Sequence, residues 1–478
     1  MNARFLTPAA LLVAAAVSPR NTMPIPETRV QLLAEAERTM ERLIIGLDPS
    51  QTKYYMLPET TPWDAKTADP RVRYLRRRLY WLNFELLHGG ILKAAPGYTR
   101  FFVAVPDSRI VTESLGNEEE VFREYLKTRV GWSDQDIARR VRFFKTPAVV
   151  AFPRDMAEPL GRDGRNRLVL GIGSDSDAWY AEPLRRLVEA YPGDFDLKTL
   201  PEINTEGGDL SIVPRPEGGL GLLVGYHRVL RYLHSRYGVP MKGMKIEPAR
   251  IEEARQAYGK AFFGLPVAVV GEEALRDPSL VSDELFHLDM VVNVLRGHSG
   301  IVAFVPSYRE APVDSIRQAE LSENVRQRIQ REYDRVAREF EGRGYRVVRL
   351  PFRDHPDRTP VQVGDFVDQR TGSPSVLLGR YPFHLNLADG SNPQRALQES
   401  LGRLEETVAR WRHAPDDTAW SAVVAGIDAV WRQMDAAQSG PNPTFDQQAR
   451  MYESEGIRVI PVPIYPTGEG GLHCLLLD

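Results

Sequence analysis

Cysteine is almost missing from this chain: Cys474 is the only one in 478 residues. One thiol cannot close an intramolecular disulfide or build a cysteine-rich zinc site, which excludes a disulfide-stapled scaffold and a zinc ribbon. A surplus of one charge is missing too, since 61 Lys and Arg against 64 Asp and Glu leave a formal net charge of −3. No global field points to nucleic acid or an anionic membrane, so the expected partner is a small molecule or a local peptide segment. Beyond the N-terminus no stretch is long and apolar enough to span a bilayer. The apolar share of 42% with 26% charged residues is that of a globular protein with a large core.

The N-terminus alone offers a targeting signal. Arg4 precedes an apolar stretch from Phe5 to Val17, with Ala14-x-Ala16 as a cleavage site, but Pro8 interrupts it and Met23 is an alternative start. Residues 1–22 are therefore read as a signal peptide or a dispensable leader, and the localisation as cytoplasmic or exported. Residues 23–96 read as a helical extension, with Val72, Leu75, Leu79 and Leu82 at three- and four-residue spacing. Its Arg76-Arg77-Arg78 run, interleaved with Tyr74, Tyr80 and Trp81, is more simply a solvated helix face than a nucleic-acid site.

From Gly97 onward an irregular repeat emerges: an apolar strand, a helix, another strand, then a polar segment. The five units open at Phe101–Val105, Arg167–Ile172, Leu220–Val224, Ile301–Val305 and Ser375–Leu378. The clearest helix runs from Ser322 to Glu341, with Gly342 as its stop signal. The fifth unit is stretched by a helical insertion near 413–440, whose broad apolar faces favour an extension of the core over a lid.

The polar segments carry the chemistry. They are Phe152-Pro153-Arg154-Asp155, Glu206-Gly207-Gly208-Asp209, Phe286-His287-Leu288-Asp289, Phe352-Arg353-Asp354-His355 and, in the fifth unit, Cys474. Repeats packed around a pseudo-symmetry axis would bring these equivalent ends together. His287 and Asp289 share a face if the segment is extended, an imidazole moves protons near neutral pH, and an ionised Asp accepts two hydrogen bonds from a planar cation. Each motif alone has a bland reading: a core histidine, an ordinary Gly-Gly turn, a local Arg154-Asp155 ion pair. Jointly, with Gly470-Gly471 allowing close approach before the lone thiol, they point to a nucleophilic site.

This set of motifs resembles the pentein, or guanidino-group-modifying, superfamily, especially the agmatine and arginine deiminases, over roughly Gly97 to Asp478. The resemblance implies an α/β fold, a five-bladed α/β propeller of ββαβ units, with the helical extension and the insertion outside the minimal fold. It implies Cys474 as nucleophile and His287 as catalytic histidine, with Asp155, Glu206 and Asp289 binding substrate. Asp209 is expected to support its own turn. The implied activity is hydrolysis of the guanidino group of an arginine-type substrate (agmatine, arginine or peptidyl arginine) to a ureido product and ammonia through a covalent thiouronium, with no metal or organic cofactor. An amidinotransferase and a non-catalytic pentein binding protein are the alternatives.

Overall fold

Five apolar segments become the central strands of five small sheets in the computed structural model, which describes residues 30–47, 70–107, 118–147, 153–173, 178–200, 203, 205–241, 243–280, 285, 287–309, 322–352, 359–381, 393–439 and 442–465. The central strands are Arg100–Pro106, Leu168–Gly173, Leu220–Gly225, Gly300–Ser307 and Pro374–Arg380, and they number the sheets first to fifth below. Most of their residues are buried. They read as continuous apolar runs because both faces of each sheet are covered.

Four sheets share one pattern. The central strand pairs antiparallel with the strand before it and parallel with the strand after it. The antiparallel partners are Glu158–Arg162, Leu210–Pro214, Asn293–Gly297 and Gly364–Val367; the parallel ones are Phe195–Leu200, Val267–Val270, Arg346–Pro351 and Arg458–Pro463. A parallel return needs a crossover, and helices supply it. The first sheet departs from this, since Arg42–Gly46 and Val141–Thr146 both run parallel to its centre. In every sheet the segments that follow the central and last strands thus emerge at the same end.

The crossover helix of the fourth sheet spans Glu323–Gly342. Ser322 caps it by accepting the Val325 N–H at 3.4 Å, and Ile329, Tyr333, Val336 and Phe340 are buried on its inner face. Gly342 is its last residue, and the left-handed turn falls two residues later at Gly344, φ +84°. In the fifth sheet the crossover is long: Pro393–His413 and Asp417–Ser439 pack on each other before Pro443–Ser454 leads to the last strand. Leu404, Val408, Trp411, Ile427 and Met434 share a core with Leu75, Leu79 and Trp81, so the pair extends the core.

The segment before Gly97 is not helical throughout. Its helix starts at Pro70, while Gln31–Leu32 pairs antiparallel with Gly161–Arg162 and Arg42–Gly46 joins the first sheet. Three-residue periodicity over 72–82 was a real helix signal, but short buried strands carry no period long enough to separate them from it. Within the arginine run, Arg77 pairs with Glu124 at 3.0 Å and Arg78 stacks 4.7 Å over Trp81. Among the described residues, no helix is long and apolar enough to cross a membrane.

Candidate active site

Three short 3-10 turns form the site, each following the last strand of a sheet at the common end: Pro153–Met156, Gly207–Asp209 and Leu288–Met290. The second turn touches both others. The two glycines of Glu206-Gly207-Gly208-Asp209 permit this. A Cβ on Gly207 would sit 2.2 Å from the Arg154 carbonyl oxygen, and one on Gly208 would sit 2.6 Å from His287 Nδ1. These are contacts no side chain allows, so the pair is a packing joint between turns and not only a turn former.

Glu206 and His287 meet there: Nε2 lies 2.9 Å from Oε1 of the carboxylate. The other carboxylate oxygen accepts from Arg228, whose Nε also donates to Asp209 Oδ2 at 3.2 Å. Asp209 Oδ1 accepts the backbone N–H of Leu288 at 3.1 Å. Asp209 thus ties its turn to the neighbouring one that carries His287 and Asp289, a longer reach than support of its own turn. A narrow crevice bordered by Asp209, Tyr226, His227, His287 and Glu332 opens beside the imidazole.

Electrostatics fix the charge states. Burial alone would raise the Glu206 carboxyl, but the hydrogen bond from His287 and the charge of Arg228 outweigh it and bring the pKa down to about 2. Burial likewise works against the Arg228 cation, and Asp209 and Glu206 more than offset it, so its pKa rises. Since Glu206 is an anion, the imidazole must present N–H from Nε2.

Arg228 was not singled out in the sequence, yet it carried a signal. It lies in the first turn of the helix Tyr226–Tyr237, which has no acidic residue there. A cation at that end opposes the helix dipole unless carboxylates face it, and Glu206 and Asp209 do so. Arg154, read as a local partner of Asp155, is 1% exposed and pairs with Glu35 and, at 2.9 Å, Glu158.

Of the expected site residues, Glu206 and His287 are in contact, and Asp289 lies in the Leu288–Met290 turn that meets the glycine turn. Asp289 is buried in its turn. His287 has extended backbone, φ −121° and ψ 148°, but Leu288–Met290 coils into a 3-10 turn, so the pair does not share the face of a strand as expected. The backbone of Asp155 lies in the Pro153–Met156 turn that touches the glycine turn; its side chain is outside the described set, as are Cys474 and residues 353–358. Among the described residues, no group of His, Cys, Asp and Glu is placed to hold a metal ion. Compared with known proteins, the sequence matches no family model and no curated protein.

Proposed function

We propose that the protein is a guanidine deiminase of pentein type, with its five sheets arranged as the blades of an α/β propeller around the three turns. The observation that carries this reading is the contact of His287 with Glu206 in a joint of turns that also bears Asp155 and Asp289. A guanidinium is planar, cationic and resonance-stabilised, and attack on its carbon needs it held still beside a nucleophile. Asp155 and Asp289 grip its nitrogens by charge-assisted hydrogen bonds. Glu206, with one oxygen on Arg228 and the other on His287, acts mainly by holding the imidazole.

The thiolate of Cys474 attacks the guanidinium carbon, forming a C–S bond. His287 gives a proton to one terminal nitrogen, its C–N bond breaks, and ammonia leaves a covalent S-alkylthiouronium. Neutral His287 then takes a proton from water as that water adds to the same carbon; the C–S bond breaks, the new hydroxyl gives up its proton to solvent as the carbonyl forms, and the ureido product and free thiolate result. Glu206 holds the ring through Nε2, and Gly208 lets the neighbouring turn pack closely against its Nδ1 edge. Ammonia release and product mass across agmatine, arginine, methylarginine and a peptidyl arginine test the proposal. A ureido product with ammonia supports it, a new guanidino compound formed only with an added amine turns it into an amidinotransferase, and no turnover of any of the four refutes it.

A further inference from the structure

One segment near the N-terminus touches all five sheets. Gln31–Leu32 pairs with the second sheet, the 3-10 turn Glu35–Glu37 packs against the inner strands Leu210–Pro214, Asn293–Gly297 and Gly364–Val367, and Arg42–Gly46 enters the first. Hydrogen bonds pin it at both levels: the Arg38 carbonyl accepts from Val367 N–H at 2.7 Å, and Arg38 Nη2 donates to the Pro159 carbonyl at 2.5 Å. Ala34, Ala36 and Met40 are buried. Such a segment is an internal strut around which the sheets assemble.

The strut also holds the first turn of the site. Glu35 pairs with Arg154, Arg154 with Glu158 at 2.9 Å, and Glu158 with Arg38 at 4.0 Å, which returns the chain of charges to the strut. All four side chains are buried, and two cations balance two anions. Arg154 and Glu158 bracket the residues 155–157. The strut therefore grips that turn at both ends, while Gly207 presses on the Arg154 carbonyl from the other side. We propose that Glu35 is a positioning residue: through Arg154 it fixes the turn that carries Asp155, so that the N-terminal strut sets how tightly the site captures a cationic substrate.

The experiment compares Glu35→Gln with Glu37→Gln, whose side chain pairs with Arg296 at the surface. Hydrogen exchange read by mass spectrometry should rise in the peptide covering residues 152–158 for Glu35→Gln alone. In steady state, KM for the best guanidine should rise about tenfold for Glu35→Gln, the size expected for losing one ionic hydrogen bond, with kcat nearly unchanged. A merely structural role would instead lower the active fraction, hence apparent kcat at constant KM, and speed exchange throughout the chain; that outcome overturns the inference, as does unchanged exchange at 152–158. The kinetic arm rests on the deiminase reading, and the exchange arm does not. A wild-type protein inactive on guanidines would sink that reading while exchange still decides the strut. Should Glu35→Gln fail to fold, Glu35→Asp, which keeps the charge and shortens the reach, is read in the same way.

Discussion

Among the described residues, the half-buried His287 and the fully buried His88 have opposite surroundings. His287 faces the carboxylate of Glu206 at 2.9 Å, at the joint of the three turns. His88 is 1% exposed in the long helix before the first sheet, within the wide turn Glu85–Gly89, and its Nε2 donates to the Gly46 carbonyl at 3.0 Å. Its Nδ1 has no hydrogen-bond partner among the described residues. Desolvation pushes its pKa down to about 4, against the lesser pull of the Gly46 bond. Burial with an anionic partner keeps an imidazole able to carry a proton; burial with a carbonyl alone locks it neutral. Only the first suits the acid–base role proposed for His287.

The largest effect should come from the proposed nucleophile. Cys474→Ser should lower turnover by more than about 10³-fold with the fold intact by circular dichroism, because no second cysteine can replace the nucleophile. Appreciable ammonia release by the folded variant would remove the thiol from the mechanism and leave His287 without a task. Next, His287→Ala should cost on the order of 10²–10⁴ in kcat, the range of general acid–base catalysis, and His88→Gln should leave kcat within about threefold. Acid quench and peptide mass spectrometry of the His287 variant should show an amidine adduct on the Cys474 peptide if hydrolysis is the slower step. Equal losses at the two histidines would erase the distinction drawn between them.

Arg228→Met sharpens the comparison from the charge side. It leaves Asp209 buried and Glu206 half-buried without their cation, a change expected to destabilise by about 3–5 kcal/mol in denaturant unfolding. Activity in the remaining folded fraction should also fall, since Glu206 would be free to turn away from His287. A variant as stable and as active as the wild type would show that Arg228 is a bystander.

Sequence patterns reached the strands and helices wherever a run was long. All five central strands and the helix from Glu323 follow from apolar runs and a Ser322 cap, because burial of both sheet faces or of one helix face leaves that trace. The strand Arg42–Gly46 and the strut at 31–38 left none, being short and stabilised by distant partners. The same holds within the site. Glu206, His287 and Asp289 were legible as chemical types in ordered motifs, whereas Arg228 left only the trace of a cation at a helix start, and the partners of Arg228 and Glu35 lie 22 and 119 residues away in sequence, where no local pattern points to them. The glycines of the Glu206–Asp209 motif were visible as a turn, but their use as a contact surface for Arg154 and His287 needed the third dimension.

The smallest predicted effect concerns acid stability, and its pH range separates the two regions. His88 has its folded pKa lowered from 6.5 to about 4, so between these values the unfolded chain binds a proton that the folded one refuses. Stability from this residue is therefore lost as pH falls from about 6.5 to about 4, by roughly 3 kcal/mol in all. Glu206 acts lower. Its folded pKa is lowered from 4.5 to about 2, so its contribution is complete above about pH 4.5 and is lost only as pH falls toward 2. Glutamine at position 88 keeps an N–H donor for the Gly46 carbonyl but does not titrate. Urea unfolding at a series of pH values between about 7 and 4.5 should give a shallower decline for His88→Gln than for the wild type. Parallel slopes for His88→Gln and wild type would mean that the helix core admits the imidazolium, and that burial of His88 is not what distinguishes it from His287.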